Sequence, residues 1–299
     1  MSPADGGGAS RGSAQAASQV TPLSPLLYEH LVADALREDL GRGGDITTDS
    51  IVPEDATQEA RLVARADGVV AGLDIAACAF RLVDARVRFT SRVGDGARVK
   101  RGDELARVSG PARALLTGER VALNFLCHLS GVASTTRIIA DAIQHTKALV
   151  ICTRKTTPGL RALEKYAVRC GGGGNHRFGL DDGVLIKDNH VAFAGGVKTA
   201  VERARARAGH HVLVQLEVDT LEQLAEALDL DVGAVLLDNM DPPMLKRAVE
   251  MISGRAIAEA SGRVTLANAA AIAETGVDLM SAGWITHSAA ALDIGLDVV

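Results

Sequence analysis

The sequence predicts an α/β protein in two parts, an N-terminal α+β sandwich domain and a C-terminal α/β barrel with fewer than eight strands. Three observations carry this. From residue 148 onward, short apolar strands alternate with amphipathic helices, the grammar of a parallel sheet covered by helices. Each of the six strands ends in residues able to do chemistry: Arg154-Lys155, Lys187, Glu217, Asp238, Ser261-Gly262 and Ser281-Ala282-Gly283. Closed barrels gather such strand ends on one active face, whereas an open doubly wound sheet uses a single crevice. Finally, the stretch from 148 to 282 spans 135 residues, well short of the ~250 of an eight-stranded barrel. An incompletely closed barrel, its gap covered by the preceding domain, satisfies all three.

The elements follow in order. Residues 1–20 hold thirteen Gly, Ala or Ser and no apolar core of a leader, so they read as a disordered tail. Domain one runs over 21–130. Leu27, Leu31, Ala35 and Leu36 recur at helical spacing before the stop at Gly41. Segments 59–66, 68–71, 86–90 and 104–109 read as short strands, with turns at Gly94-Asp95-Gly96 and Gly102-Asp103. A helix follows at 111–128, and another at 132–145 opens the barrel domain, 131–286. Its strands are expected at 148–153, 184–187, 212–218, 233–238, 255–260 and 277–282. Its helices are expected at 158–170, 196–208, 219–229, 241–252 and 265–275, with a last helix at 287–297 packing back on domain one. Thr157-Pro158, Asp219 and Asp241 are placed to start three of these helices.

Composition removes several function classes. Of 299 residues, 47% are hydrophobic and 23% charged, ordinary for a globular protein. Aromatic residues make up only 3%, too few for base-stacking platforms. No apolar run approaches the ~20 residues of a membrane helix. Cys78, Cys127, Cys152 and Cys170 are widely spaced with no C-x-x-C, which argues against zinc and a disulfide framework and for a reducing cytoplasm.

One stretch stands against the overall charge of −5. Residues 154–187 hold seven Lys/Arg and three Asp/Glu, a local +4. A compact positive island suits a small, highly anionic ligand rather than nucleic acid, which needs an extended basic face. Arginines offer two-pronged donors to carboxylate or phosphate, and the run Gly171 to Gly174 reads as backbone able to approach the ligand. A solvated basic helix followed by a loop explains the helix, but not why Arg154-Lys155 and Lys187 end apolar strands. The helix 158–170 itself reads as scaffold, with Arg161, Lys165 and Arg169 only tuning the field.

Downstream, Glu217 and Asp238 are acids on neighbouring strands. They can hold sugar hydroxyls or a divalent metal shared with a phosphate-bearing substrate, Mg²⁺ best of all. The turns at Ser261-Gly262 and Gly283 fit a phosphate held by backbone N–H groups. The site therefore reads as built for two ligands, one anionic and one phosphorylated. No Ser-His-Asp, Cys-His or Walker pattern competes.

Several strings are specific enough to carry a family resemblance. They are Gly118-Glu119-Arg120-Val121-Ala122-Leu123-Asn124-Phe125-Leu126, Thr153-Arg154-Lys155-Thr156-Thr157-Pro158-Gly159-Leu160-Arg161, Lys165-Tyr166-Ala167-Val168-Arg169 and Gly174-Asn175-His176-Arg177. Ile186-Lys187-Asp188-Asn189-His190, Leu237-Asp238-Asn239-Met240 and Glu259-Ala260-Ser261-Gly262 complete the set. Together they resemble quinolinate phosphoribosyltransferase, the carboxylating nicotinate-nucleotide pyrophosphorylase, over residues 26 to 299. That resemblance implies a pentosyltransferase of de novo NAD synthesis. It would join quinolinate to phosphoribosyl pyrophosphate and release nicotinate mononucleotide, pyrophosphate and CO₂.

By the same resemblance, Arg154, His176 and Arg177 grip the quinolinate carboxylates, with Lys155 and Lys187 beside them. Glu217 and Asp238 face the ribose and Mg²⁺, and Ser261, Gly262 and Gly283 hold the 5-phosphate. Lys155, Lys187, Glu217 and Asp238 are the implied catalytic set. Arg120 is implied to serve the neighbouring subunit of a homodimer; read from the residues alone, it is a surface arginine paired with Glu119. Three positions depart from the family pattern: Arg263, Trp284 and Ala267-Asn268. The nearest rival is a phosphoribosyltransferase for nicotinate, which has one carboxylate. A non-catalytic binder of a phosphorylated metabolite would not need Glu217 and Asp238.

Overall fold

The computed structural model describes residues 20–299, so the tail expected at 1–20 lies outside the described residues except for Val20. The first part opens with a 3₁₀ turn at Pro25–Leu27, then α1 (Glu29–Leu40), α2 (Ile46–Ile51), β1 (Thr57–Ala64) and β2 (Gly68–Val69). It continues through α3 (Leu73–Val83), β3 (Arg88–Ser91), β4 (Arg98–Val99), β5 (Glu104–Pro111) and the long α4 (Ala112–Ala142). The second part starts with β6 (Leu149–Ile151), α5 (Arg161–Cys170), β7 (Val184–Ile186), α6 (Asp188–Ala194) and α7 (Val197–Arg207). It then runs through β8 (Val214–Val218), α8 (Leu221–Asp229), β9 (Ala234–Asp238), α9 (Pro242–Ile252), β10 (Ile257–Ser261) and α10 (Ala269–Ala273). β11 (Leu279–Ser281), α11 (Trp284–His287) and β12 (Ile294–Val298) complete the chain.

Six strands form one parallel sheet in the order β6-β11-β10-β9-β8-β7. The first two strands in sequence thus sit at opposite edges, as in a barrel left open between them. Its curvature is visible across β9: Gln215 on β8 and Glu259 on β10 are not neighbours in the sheet, yet their side chains meet at 2.7 Å on its concave face. This is the expected barrel of fewer than eight strands. A separate antiparallel sheet, β12-β1-β5-β3, belongs with the first part.

The glycine run fills part of the barrel's gap. Gly174 bridges to Ile151 in parallel register, with its N–H donating to the Val150 carbonyl at 2.8 Å and its carbonyl accepting from Cys152 at 3.2 Å. A Cβ on Gly171 would lie 2.4 Å from the Ala133 carbonyl, and one on Gly173 would lie 2.7 Å from Thr136 Cγ2. These glycines let the chain press between α4, α5 and β6, so the close approach they allow is to protein rather than to ligand.

Four expectations about elements are corrected. The helices expected at 111–128 and 132–145 are one helix, α4. Gly131 is no break; it admits the backbone of the C-terminal segment, since a Cβ there would stand 2.1 Å from the Ala290 carbonyl. The helix expected from 158 begins at Arg161 without a side-chain cap. Thr157 to Leu160 instead makes a turn closed by the Leu160 N–H to the Thr157 carbonyl at 3.0 Å, and Gly159, at φ +81°, takes the left-handed position that follows proline in a type II turn. Asp219 does not cap α8; Thr220 does, in a capping box with Gln223, whereas Asp241 caps α9 as expected. The helix expected at 287–297 is replaced by β12, antiparallel to β1 with Ala60 opposite Val298 and Ala64 opposite Ile294. Ala-rich 289–291 suggested helix, but backbone pairing along β1 decides the segment beyond it.

Four short or buried helices, α2, α3, α6 and α11, had no expected counterpart. α3 is buried at Leu73, Ile75, Ala76, Cys78, Ala79 and Phe80, and its polar face rests on Asp74 and Arg81 alone, too thin a stripe to read from the sequence. Its start is held from outside, by Asp95 accepting the N–H groups of Gly72 and Leu73 at 2.8 and 3.2 Å.

Candidate active site

A parallel strand turns alternate side chains to the same face. On the concave face of the curled sheet this brings the strand ends together around a cavity of about 290 Å³. Arg154, Lys155, His176, Arg177, Lys187, Glu217, Asp238 and Ser261 all line it. Gly262 and Gly283 stand in the adjoining turns. Arg120 does not reach the cavity; it is exposed on α4 and makes no ion pair among the described residues, with Glu119 or any other acid.

The cations are the unusual feature. Arg154 stands in the loop just after β6 and lines the cavity, and its buried Nε finds no partner among the described residues. Arg177 donates Nη1 to the Gly183 carbonyl at 2.8 Å, but among the described residues no carboxylate pairs with it. Burial, and then the nearby Arg154 charge, pushes the Arg177 guanidinium below its ordinary value, with Asp182 opposing. Two like charges are thus held close in a partly desolvated place, an arrangement that raises the energy of the empty protein and is relieved by an anion.

Surrounding groups make the arrangement rigid. Lys165 is buried on α5, and its Nζ donates to the His176 carbonyl at 2.8 Å and to Cys152 Sγ at 3.1 Å. Arg161 donates to Thr156 Oγ1 at 3.1 Å, to the Phe178 carbonyl at 3.1 Å and to the Arg154 carbonyl at 3.4 Å. Both were expected only to tune the field. Instead they tie the loop after β6 to the loop that carries His176 and Arg177. Fully buried Glu164 accepts from the Thr157 N–H at 3.1 Å and meets His128 Nε2 at 2.9 Å. Burial works to raise this carboxyl, yet the hydrogen bonds from His128 and Thr157 prevail and hold it below its ordinary value.

The opposite wall carries the acids. Glu217 Oε2 pairs with Lys187 Nζ at 2.5 Å, and Asp238 Oδ2 accepts from Asn239 Nδ2 at 2.6 Å. Each keeps a second carboxylate oxygen uncommitted. Among the described residues no group of three or more His, Cys, Asp or Glu converges as a metal cage. The donor set therefore fits a hard cation held mainly by phosphate oxygens and water, with one or two carboxylates in support.

The last two turns are tightly built. Gly262 is left-handed at φ +87°, and a Cβ there would fall 2.3 Å from Asn239 Oδ1. A Cβ on Gly283 would lie 2.9 Å from Lys155 Cδ, so this glycine makes room for the lysine stem. The departures noted in the sequence now have places. Arg263 adopts a left-handed φ of 53°, a conformation that accounts for Gly or Asn at such a position. Trp284 Nε1 donates to the Val264 carbonyl at 2.7 Å, joining the two turns rather than narrowing the cavity. Asn268 accepts from Thr265 and donates to the Arg263 carbonyl, closing the same loop.

Glu259, which lines the cavity, and Gln215, which bonds to it from the space behind, were given no role by the sequence reading. Gln215 and Glu259 stand two positions before Glu217 and Ser261, on the same faces of their strands. That i−2 relation was the available signal, and both are buried.

With this geometry in view, comparison with known proteins is decisive. Residues 45–130 match the family model of the quinolinate phosphoribosyl transferase N-terminal domain, and residues 132–297 match that of its C-terminal domain. The chain belongs to the quinolinate phosphoribosyltransferase family. It is 47% identical over 271 residues to the nicotinate-nucleotide pyrophosphorylase [carboxylating] of Mycobacterium leprae, covering 88% of this chain and 94% of that one. It is 44% identical over 276 residues to a probable enzyme of the same name from Bacillus subtilis, covering 92% and 95%. Among solved structures, NadC from Streptococcus pyogenes superposes with a TM-score of 0.89 at 40% identity, covering 93% of this chain and 99% of that one.

The paired guanidiniums generate a stability prediction. Arg154→Met removes one of two like charges and a buried unpaired N–H, so the ligand-free variant is expected to melt about 2–3 °C higher than the parent, the shift that about 1 kcal/mol produces in a chain of this size. A lower melting temperature in differential scanning calorimetry would contradict the destabilising proximity of the two arginines.

Proposed function

We propose that the chain transfers the phosphoribosyl group of phosphoribosyl pyrophosphate to quinolinate. The products are nicotinate mononucleotide, pyrophosphate and CO₂, in de novo NAD synthesis. The family membership supports the reaction type. The observation that carries the choice of acceptor is the pair Arg154 and Arg177, two guanidiniums in one wall without a carboxylate between them. A planar pyridine with adjacent carboxylates supplies the missing negative charge in a geometry that guanidinium donors match.

The chain's own residues account for the steps. Arg154 and Arg177 fix the dicarboxylate and so aim the ring nitrogen at the ribose, a contribution of orientation. His176 has both ring nitrogens engaged inside the protein, so its part is to shape the loop beneath the acceptor. As the C1–O bond breaks, its electron pair leaves with pyrophosphate and positive charge grows on the ribose. Glu217 and Asp238 lie on the wall where that charge is stabilised. Lys155 and Lys187 draw the negative leaving group. Mg²⁺, supported by Glu217 and Asp238, would add charge neutralisation on the pyrophosphate.

The ring nitrogen then bonds to C1 and becomes cationic. The bond from C2 to its carboxylate breaks, CO₂ departs, and the electron pair left on C2 is stabilised by the adjacent cationic nitrogen before a proton from solvent takes it up. No protein base is required. The turns at Ser261-Gly262 and Gly283 are proposed to seat the 5-phosphate against backbone N–H groups.

The functional unit is proposed to be a homodimer in which Arg120 completes the partner's cavity. Its exposed position on α4, away from its own cavity and without an ion pair among the described residues, supports this. A reducing compartment such as the cytoplasm is part of the same reading, supported by four unpaired thiols, three of them buried. No described helix is long and apolar enough to cross a membrane.

Incubation with quinolinate, phosphoribosyl pyrophosphate and Mg²⁺ is expected to yield nicotinate mononucleotide and CO₂ in equal amounts. Equal or faster turnover of nicotinate would move the assignment to a nicotinate phosphoribosyltransferase. Mixed dimers of Arg120→Ala and Lys187→Ala chains, each inactive alone, are expected to regain activity at the one site that carries neither change. Verified heterodimers with no recovery would rule out the sharing of Arg120.

A further inference from the structure

Glu259 is 1% exposed in the middle of β10, with no cation bonded to it and with Oε1 lacking any partner among the described residues. A buried carboxylate with a free oxygen is costly unless it organises something. Its Oε2 accepts from Gln215 Nε2 at 2.7 Å. Because an ionised carboxylate can only accept, this contact fixes which end of the Gln215 amide faces it. The other end, Oε1, is thereby turned to His176 Nε2 at 3.1 Å. Glu259 Oε2 itself is 3.5 Å from the same ring nitrogen.

The far side of the imidazole is equally constrained. The backbone N–H of Arg177 donates to His176 Nδ1 at 2.7 Å, so Nδ1 carries a lone pair and the ring proton sits on Nε2, facing Gln215. A proton on Nδ1 would bring two N–H groups head to head. The order Glu259, Gln215, His176, Arg177 N–H is thus one directional chain of donors and acceptors, and it ends at the backbone of the residue whose guanidinium forms half of the clamp.

We propose that Glu259 and Gln215 are positioning residues that set the His176 tautomer and, through it, the backbone that aims Arg177. The proposal rests on reading the cavity as the quinolinate site. It explains why a buried acid is placed beside an anion site that it would otherwise weaken: its charge is spent on orienting an amide. A second space of about 200 Å³ lies inside the barrel beside the substrate cavity: Glu259, His176 and Arg177 line both, and Gln215 lines the second. The positioning chain therefore lies beneath the substrate, where its failure would displace the clamp from below.

The test uses two-bond ¹H–¹⁵N NMR of the histidine rings in the full chain without substrate, with His176→Asn to assign the signal. The parent is expected to show the Nε2–H tautomer. In Glu259→Gln either amide can flip, so this tautomer is expected to be lost or mixed. The KM for quinolinate is expected to rise ~10-fold, as for a misaligned charged contact, while the KM for phosphoribosyl pyrophosphate stays within about twofold. The exchanged double variant Q215E/E259Q restores the order. Its amide at position 259 donates to its carboxylate at position 215, and that carboxylate accepts from Nε2–H. The double variant is expected to recover the tautomer and most of the quinolinate KM.

Retention of the Nε2–H tautomer in E259Q would overturn the proposal, as would a folded double variant that does not regain it. Should E259Q fail to fold, Gln215→Leu removes the same link and is held to the same tautomer outcome. The NMR result needs no substrate, so a failed quinolinate assay would leave it standing or falling on its own.

Discussion

Everything at the mouth of the barrel depends on two arginines, neither of which is paired with a carboxylate among the described residues. Arg154 comes from the loop after the first barrel strand and Arg177 from the loop that fills the barrel's gap. Left to relax, two guanidiniums would separate into water. They do not, because both loops are bonded to buried groups. Lys165 and Arg161 on α5 grip the carbonyls of Arg154, His176 and Phe178, and Glu164 holds the Thr157 N–H from below. Burial and then the Arg154 charge act against the Arg177 guanidinium, and an anion at this spot would relieve both. That is preorganisation in the sense that matters for transfer chemistry: the cations are in place before the ligand arrives.

The open barrel makes this geometry possible. With six strands, consecutive strands β6 and β7 lie at opposite edges, and the glycine run occupies the gap between them. A longer side chain at Gly171 or Gly173 would collide with α4 or with α5 and β6, and would push His176 and Arg177 out of the wall. The acids on β8 and β9 stand across the cavity, where one grips Lys187 and both keep a free oxygen. One wall thus suits a carboxylate-bearing ring, and the other a sugar whose leaving group carries phosphate.

Much of this was legible in the sequence because it follows from the period of a strand. Apolar runs ending in Arg154, Lys187, Glu217, Asp238 and Ser261 announce a sheet whose ends meet, and the structure brings those five residues to one cavity. The motif resemblance named the same residues. What escaped were features decided by partners far away in sequence. β12 is a strand because β1 has a free edge, and α4 is continuous because Gly131 admits Ala290. Lys165 reads as one more basic residue on an amphipathic helix; only the packing shows its ammonium buried beneath the loop. Glu259 and Gln215 were within reach, two residues before strand ends already singled out, but a charge inside an apolar strand gives no hint of its partner until the sheet curls.

The most direct measurement is a crystal structure of the chain with quinolinate bound. One carboxylate is expected to lie between the Arg154 and Arg177 guanidiniums, accepting from both, with the ring nitrogen turned toward Glu217 and Asp238. The two arginines are expected to be scarcely displaced from their positions without ligand. A dicarboxylate seated elsewhere in the cavity, with the arginine pair still lacking an anion, would contradict the central role of that pair.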